Sequence, residues 1–190
     1  MRTKWFTPWF YVIPALATLV FFLIYPSINT LIISFFGPQS KEFVGLSNYI
    51  YCFTNETMLS AFRNNLLWIA LFVPMTVFLG LVLAVILDRV RYESLVKSII
   101  FMPMAISFVG AGVIWKFVYS YRPVGSGQIG ILNAFLSYLG KQPIPWLIER
   151  PWLNNICLII VGIWIWTGFC LVVLSASYKG IPENYWRQPE

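Results

Sequence analysis

Histidine is absent from this sequence of 190 residues. The chain therefore lacks the commonest general base and the commonest metal ligand, and it cannot form a Ser-His or Cys-His pair. It also lacks the phosphate-binding pattern GxxxxGK[ST], so any ATP that its work requires is hydrolysed by another chain. Its three cysteines, Cys52, Cys157 and Cys170, have no CxxC spacing, which argues against a disulfide framework or a zinc site. The sequence therefore predicts no catalytic residue, no cofactor site and no metal site.

Charged residues are scarce as well. Only 11% of the residues are Asp, Glu, Lys or Arg, and 59% are hydrophobic. A soluble domain carries about 25% charged residues to cover its surface, so this composition predicts an integral membrane protein. The net charge of +6 comes from basic residues scattered at the edges of apolar runs. Because these residues form no basic stripe, we predict no nucleic-acid partner.

Four long apolar runs are the main feature that the sequence does have. At about 1.5 Å per residue, each run is long enough to cross a hydrocarbon core of roughly 30 Å as a helix. The first run is too long for a signal peptide and no A-x-A-like cleavage site follows it, so we expect it to remain as an anchor. We predict an all-α, polytopic membrane protein with about four transmembrane helices, at residues 10–36, 66–87, 98–119 and 156–178.

Two features interrupt this simple pattern. Pro103 and the small residues 110–112 break the third run, and small residues let another helix approach closely. In the segment after that run, residues 129–139 form an amphipathic pattern that Gly140 can end. Four residues share its apolar face: Leu132, Phe135, Leu136 and Leu139. About eleven residues cannot cross a bilayer, so we predict a short helix lying at the membrane surface.

The distribution of basic residues predicts the orientation. With the N-terminus in the cytoplasm, the inner segments hold seven of the thirteen Lys and Arg in roughly thirty positions, and the outer loops hold six in about twice that length. The seven are Arg2, Lys4, Arg89, Arg91, Lys97, Lys179 and Arg187. The positive-inside rule then places both termini in the cytoplasm. The predicted chain has outer loops at residues 37–65 and 120–155 and a cytoplasmic stub at residues 179–190.

Two short motifs do not indicate a function. The segment GSGQIG at residues 125–130 matches GxGxxG, but the dinucleotide motif requires a strand before it and a helix after it. Here an apolar span precedes it, so we interpret it as a flexible outer loop. Asn55-Glu56-Thr57 is a glycosylation sequon, which matters only in a eukaryotic secretory compartment, so we interpret it as a chance occurrence.

The apolar centres of the four runs contain no Asp or Glu. Ion-coupled carriers and ion channels often place ionisable groups at mid-membrane, so a neutral substrate fits this chain better. Hydroxyl and aromatic side chains would bind such a substrate by hydrogen bonds and stacking. The candidate substrate path comprises Ser107, Trp164, Trp166, Thr167 and Gly168. Anchoring of the tryptophans at the membrane interface is the alternative interpretation.

Several segments resemble the permeases of carbohydrate-type ABC importers. FVGLSNY at residues 43–49 is similar to the family's FVGLxNY, FMPMAIS at 101–107 to FFLPxxIS, and WIWTGF at 164–169 to WxWTGF. Further similar segments are GVIW at 112–115, ILN at 131–133 and Ile181-Pro182. They occur in the family's order and spacing over about residues 8–186, so the chain resembles a MetI-like permease domain. Residues 121–130 are more specifically similar to the α-glucoside and glucosylglycerol branch.

This resemblance implies a set of partners in a bacterial plasma (inner) membrane. A family permease pairs with a second permease subunit and an ATP-binding cassette ATPase dimer, and it receives substrate from an extracytoplasmic sugar-binding protein. The permease is not an enzyme, because ATP is hydrolysed on the separate ATPase chain. Coupling passes through a cytoplasmic segment of the form IPxxxxEAAxxDGA. In this chain the matching stub comprises Lys179, Gly180, Ile181, Pro182 and Glu183.

The stub departs from the family pattern at its end. Where the family has Glu-Ala-Ala, this chain has Arg187-Gln188-Pro189 and then Glu190. Losing one base from codons for Glu-Ala-Ala can produce Arg-Gln-Pro, so we expect a frameshifted or otherwise truncated permease, covering residues 1–190 as a partial transmembrane domain and inactive alone. The alternative is a four-helix membrane scaffold or assembly protein without transport activity. A membrane-embedded enzyme lacks candidate residues.

Overall fold

The computed structural model describes residues 7–148 and 151–180. The predicted coupling residues Ile181, Pro182 and Glu183 and the chain after them therefore lie outside the described residues. The chain divides into two compact units, Met1–Phe62 and Arg63–Glu190. The described ranges form eight α-helices and no β-strand, as the all-α prediction requires.

The first unit begins with a long apolar helix. It consists of α1 (Thr7–Leu19), a π-helical turn (Val20–Ile24) and α2 (Tyr25–Ile33). Pro26 in the first turn of α2 has no N–H to donate, and the ladder widens just before it, where Tyr25 donates to the carbonyl of Val20. Residues Pro8–Ile33 form a candidate membrane span.

The FVGLSNY segment ties a loop back to the end of α2. The Asn48 side chain donates to the carbonyls of Ser34 and Phe36, each at 2.8 Å, and the Tyr49 hydroxyl lies 2.6 Å from the Ser34 hydroxyl. Both residues belong to α3 (Ser47–Thr54). The side-chain amide therefore satisfies carbonyls that the end of α2 leaves unpaired.

The next helix, α4 (Glu56–Leu87), begins at the sequon. Asn55 Oδ1 accepts from the backbone N–H groups of Thr57 (3.0 Å) and Met58 (3.3 Å). These contacts cap the helix start and give Asn55 a structural role that needs no glycan. The helix starts ten residues before the predicted span at residue 66 because a helix continues past the hydrocarbon core when its polar end is capped.

The second unit is built around α8 (Pro151–Lys179). The C-terminal part of α4 runs parallel to it: Phe72 contacts Gly162, and Gly80 contacts Cys170 and Leu171. A Cβ atom added to Gly80 would lie only 2.6 Å from Cys170 Cβ, so the two helices touch with no room for a side chain. Leu171 is fully buried and forms the core with Ala84 and Leu87.

The third predicted span is not one helix. It consists of α5 (Glu93–Ala105) and α6 (Phe108–Val118), whose axes differ by 97°. Ile106 and Ser107 between them have extended backbone conformations. Pro103 indicated an interruption here, and the structure shows it as a bend at Ile106 and Ser107; that the pair crosses the membrane as the single span predicted at 98–119 stays a prediction. The described part of the chain thus has three helices long and apolar enough to cross a membrane, and a fourth crossing if the bent pair counts as one.

The short helix predicted in the second outer loop is present as α7 (Ile131–Tyr138). Gly140, at φ 71°, follows its end as expected. The predicted apolar face is divided, however. Leu132 and Leu136 are half-buried, whereas Phe135 and Leu139 are exposed, because the buried face centres on Asn133.

Candidate functional site

Both arms of the bent pair pack against α8. Gly168 lies against α5, where a Cβ atom would come within 2.5 Å of the Ile100 carbonyl oxygen. Trp164, one helical turn earlier, makes an edge-to-face contact with Trp115 of α6, with ring centroids 5.7 Å apart. Gly168 and Trp164 share one face of α8 because they are four residues apart. That face of α8 therefore contacts α5 before the bend and α6 after it.

Ser107 lies at the bend itself and is exposed. Its Oγ accepts from the backbone N–H of Gly110 at 3.1 Å and caps the start of α6. A capping hydroxyl accepts through one lone pair and keeps its proton to donate. Ser107 is therefore both a structural cap and an available hydrogen-bond donor.

Trp166 and Thr167 are placed differently from the other three predicted residues. Thr167 is buried, and its hydroxyl donates to the carbonyl of Ile163 at 2.6 Å within α8. Trp166 is half-buried and meets Phe169 edge-to-face, with centroids 5.9 Å apart. At about 100° per residue, Trp166 is on the side of α8 opposite Trp164 and Gly168. The structure thus groups Trp164 and Gly168 around the bend and separates Trp166 from them.

Trp115 is a residue of this region that the predicted path omitted. Its ring contacts Trp164 and also Tyr119, whose centroid is 5.2 Å away. Its indole nitrogen is buried, and the described structure gives that nitrogen no hydrogen-bond partner. Trp115 is the last residue of the GVIW segment, so the sequence showed that it belongs to a motif. The sequence did not show its contact with Trp164, which lies 49 residues later in the chain. The arrangement offers aromatic faces beside an unpaired donor.

A network of uncharged hydrogen-bonding groups lies near the N-terminal end of α8. Fully buried Asn133 donates to the carbonyls of Ser120 (2.9 Å) and Ile144 (3.0 Å). Its Oδ1 accepts from the Ile144 N–H (2.9 Å) and the Trp146 indole N–H (3.2 Å). Tyr119 adds a hydrogen bond of 3.0 Å to the Cys157 carbonyl. We call this set the amide end; it includes Asn133 of the ILN segment, which the sequence did not single out as a site.

A charged network occupies the opposite end of α8. Lys179 lies 2.7 Å from one Glu93 oxygen and 3.6 Å from Asp88, and the other Glu93 oxygen pairs with Lys97. Lys97 also donates to the buried Ser175 hydroxyl. Two residues of the predicted coupling stub are described by the structure. Lys179 is the last residue of α8 and forms these ion pairs, and the Gly180 N–H donates to the carbonyl of Ala176 at 3.1 Å. We call this set the charged end.

No protein-family model matches the chain. It is 59% identical, over 92% of its length, to the osmoprotective compounds uptake permease protein GgtC of Synechocystis sp., and covers 62% of that protein. It is 46% identical, over 93% of its length, to the alpha-glucoside transport system permease protein AglF of Rhizobium meliloti, and covers 52% of it. A probable ABC transporter permease of Pyrococcus horikoshii is 35% identical over 95% of the chain, of which the chain covers 64%.

Solved structures show the same fold. A chain of a bacterial ABC transporter involved in the import of the acidic polysaccharide alginate matches 94% of this chain with a TM-score of 0.77 and 22% identity. A structure of the alginate transporter in complex with a pentasaccharide-bound periplasmic protein matches with a TM-score of 0.71 and 24% identity. This chain covers 59% and 58% of those two chains, so it spans less than two thirds of every relative compared above.

Proposed function

We propose that this chain, a multi-pass membrane protein homologous to carbohydrate ABC importer permeases, works as one permease subunit of a binding-protein-dependent sugar importer. The 59% identity to an uptake permease over almost the whole chain carries the proposal. The identity to an alpha-glucoside permease supports an oligosaccharide or glucoside as the substrate class. The four-helix scaffold without transport activity is not favoured, because the relatives are named as transport permeases.

The proposed assembly adds three kinds of partner. A second permease subunit encloses the path, an ATPase dimer hydrolyses ATP on the cytoplasmic side, and an extracytoplasmic binding protein delivers the sugar. Both termini are cytoplasmic, which places the charged end inside and the amide end outside. The density of Lys and Arg around residues 88–97 supports this orientation. The domain boundaries stay as predicted, with the bent pair as the third crossing.

The proposed substrate path runs along the bend. Ser107, Trp164 and Gly168 line or shape it, and Trp166 and Thr167 remain predicted members on other faces of α8. An aromatic face and a hydroxyl donor suit a neutral sugar, whose ring stacks on aromatics and whose hydroxyls accept hydrogen bonds. The unpaired indole N–H of Trp115 supports the same path. The stub Lys179–Gly180, with Ile181, Pro182 and Glu183 beyond the described residues, is the proposed ATPase-coupling element.

The function is tested in the native host. The affinity-tagged chain is purified from membranes in mild detergent, its copurifying chains are identified by mass spectrometry, and uptake of radiolabelled α-glucosides is compared in cells with and without the gene. We expect an ATPase and a second permease to copurify and uptake to depend on the gene. Recovery without an ATPase, together with unchanged uptake, contradicts the importer and supports the scaffold.

The path is tested by substitution in the same cells. We expect Trp164→Phe and Ser107→Ala to reduce uptake, since each removes a hydrogen-bond donor beside the bend. Trp9→Phe is the matched control because Trp9 is 54% exposed on the first apolar helix. If Trp9→Phe and Trp164→Phe reduce uptake equally, the tryptophans serve as interfacial anchors and the path is placed wrongly.

A further inference from the structure

The charged end joins three elements at one residue. Lys179, the last residue of α8, contacts Glu93 at the start of α5 and Asp88 after the end of α4. Each charge is favourable at its helix terminus, because an acid suits the first turn of α5 and a base suits the last turn of α8. The chain leaves α8 immediately after this contact, at Gly180.

Two contacts between α5 and α8 form successive rungs. Lys97 of α5 donates to Ser175 of α8. One turn closer to the C-terminus of α8 and to the N-terminus of α5, Lys179 donates to Glu93. Glu93 receives Lys97 on one oxygen and Lys179 on the other, so its carboxylate bridges the two rungs. The Ser175 rung is buried, whereas the Lys179 side chain is 49% exposed. The Lys179–Glu93 contact is therefore the more solvent-accessible of the two.

We propose that Glu93 is a positioning residue that holds the C-terminal end of α8 against the 88–92 turn and the start of α5, and that sugar uptake per ATP depends on this contact. This inference rests on the proposed function, because Lys179 and Gly180 begin the proposed ATPase-coupling element. Glu93 contacts neither sugar nor ATP in this scheme. It acts through Lys179, and through Lys97 on the same helix that packs at Gly168.

The test uses the complete complex purified with this chain and reconstituted in proteoliposomes. Sugar uptake, basal ATP hydrolysis and binding-protein-stimulated ATP hydrolysis are measured per recovered complex. We expect Glu93→Gln to leave the recovered complex and basal hydrolysis unchanged, and to lower uptake per ATP by about five-fold or more, the lower range of coupling between distant sites.

Controls separate this role from helix stability. Glu56→Gln removes an acid at the first residue of another helix, and we expect no change in uptake per ATP. If Glu93→Gln lowers the recovered complex, Lys179→Gln is compared with wild type for uptake per ATP alone, because Lys179 itself begins the proposed coupling element, and the Glu93–Lys97 pair stays intact. An unchanged ratio in both variants, or an equal loss in Glu56→Gln, overturns the inference. A wild-type complex that hydrolyses no ATP and imports no sugar overturns the proposed function, and the inference with it.

Discussion

The two ends of α8 are held in chemically different ways. At the amide end, one fully buried Asn133 fills its four hydrogen-bonding positions with backbone groups and an indole. At the charged end, Glu93 and Lys179 form ion pairs whose side chains are 21% and 49% exposed. Buried neutral hydrogen bonds are insensitive to salt, whereas partly exposed ion pairs are screened by it. The amide end is therefore built to stay fixed, and the charged end can be adjusted by its surroundings.

The largest effect is expected at the amide end. Asn133→Ala leaves the Ile144 N–H, the Trp146 indole and two carbonyls without their partner, and each buried unsatisfied group costs about 1–3 kcal/mol. We expect a loss of about 3 kcal/mol or more in the free energy of unfolding, measured by thermal unfolding in detergent. Ser137→Ala, an exposed change in the same helix, is the control. If both variants unfold at the same temperature, Asn133 does not hold this end.

The second largest effect is expected in the middle of α8, between the amide end and the charged end. Gly168→Ala places a Cβ atom 2.5 Å from the Ile100 carbonyl oxygen, so α5 must move away from α8. Overpacking of this kind costs about 1–3 kcal/mol, and we expect thermal unfolding to show a loss in that range. Gly112→Ala, which meets nothing within 4 Å, is the matched control and is expected to be neutral or slightly stabilising. Equal behaviour of the two variants would show that α5 and α8 do not touch at Gly168.

A smaller effect sharpens the description of the amide end. Tyr119→Phe removes the hydroxyl that donates to the Cys157 carbonyl at 3.0 Å, without changing the ring. The expected loss is about 1 kcal/mol, the net value of one hydrogen bond. Tyr138→Phe, at a side chain 87% exposed, should leave thermal unfolding unchanged. A Tyr119→Phe variant as stable as wild type would confine the network to Asn133.

The smallest effect is expected at the charged end and depends on salt. Glu93→Gln removes both ion pairs, and we expect a lower unfolding temperature than wild type at low ionic strength. At about 1 M salt the screening length is about 3 Å, so the difference should shrink. The Asn133→Ala difference should stay constant over the same range. A salt-independent Glu93→Gln effect would mean that hydrogen bonding rather than charge holds this end.

Hydropathy predicted the long apolar helices of the described chain because length and composition are local properties. Pro103 also indicated a break. The local sequence does not give the 97° angle of the break, or the contacts of its two arms with Gly168 and Trp164, which are distant in sequence. The motif resemblance identified the relatives because several segments matched in order.

The site was harder to predict. Trp164 and Gly168 were expected together and share a face, whereas the hydroxyl of Thr167 is used inside its own helix, as the i−4 carbonyl contact in a helix permits. Asn133 was part of a motif, but its partners lie at residues 120, 144 and 146, and nothing local reveals them. The pairing of Glu93 with Lys179 joins residues 86 positions apart, which sequence spacing alone cannot show.

The extended backbone at Ile106 and Ser107 has a consequence for hydration. Peptide groups outside a helix cannot face hydrocarbon, because lipid offers them no hydrogen bonds. If the bent pair crosses the bilayer, the notch at Ser107 must be filled by water or covered by another protein surface. The chain alone would then have water at this position in the membrane, and a partner subunit that covers the bend must supply polar groups that replace the hydrogen bonds of that water. The bend beside the proposed substrate path therefore needs water or another protein surface next to it.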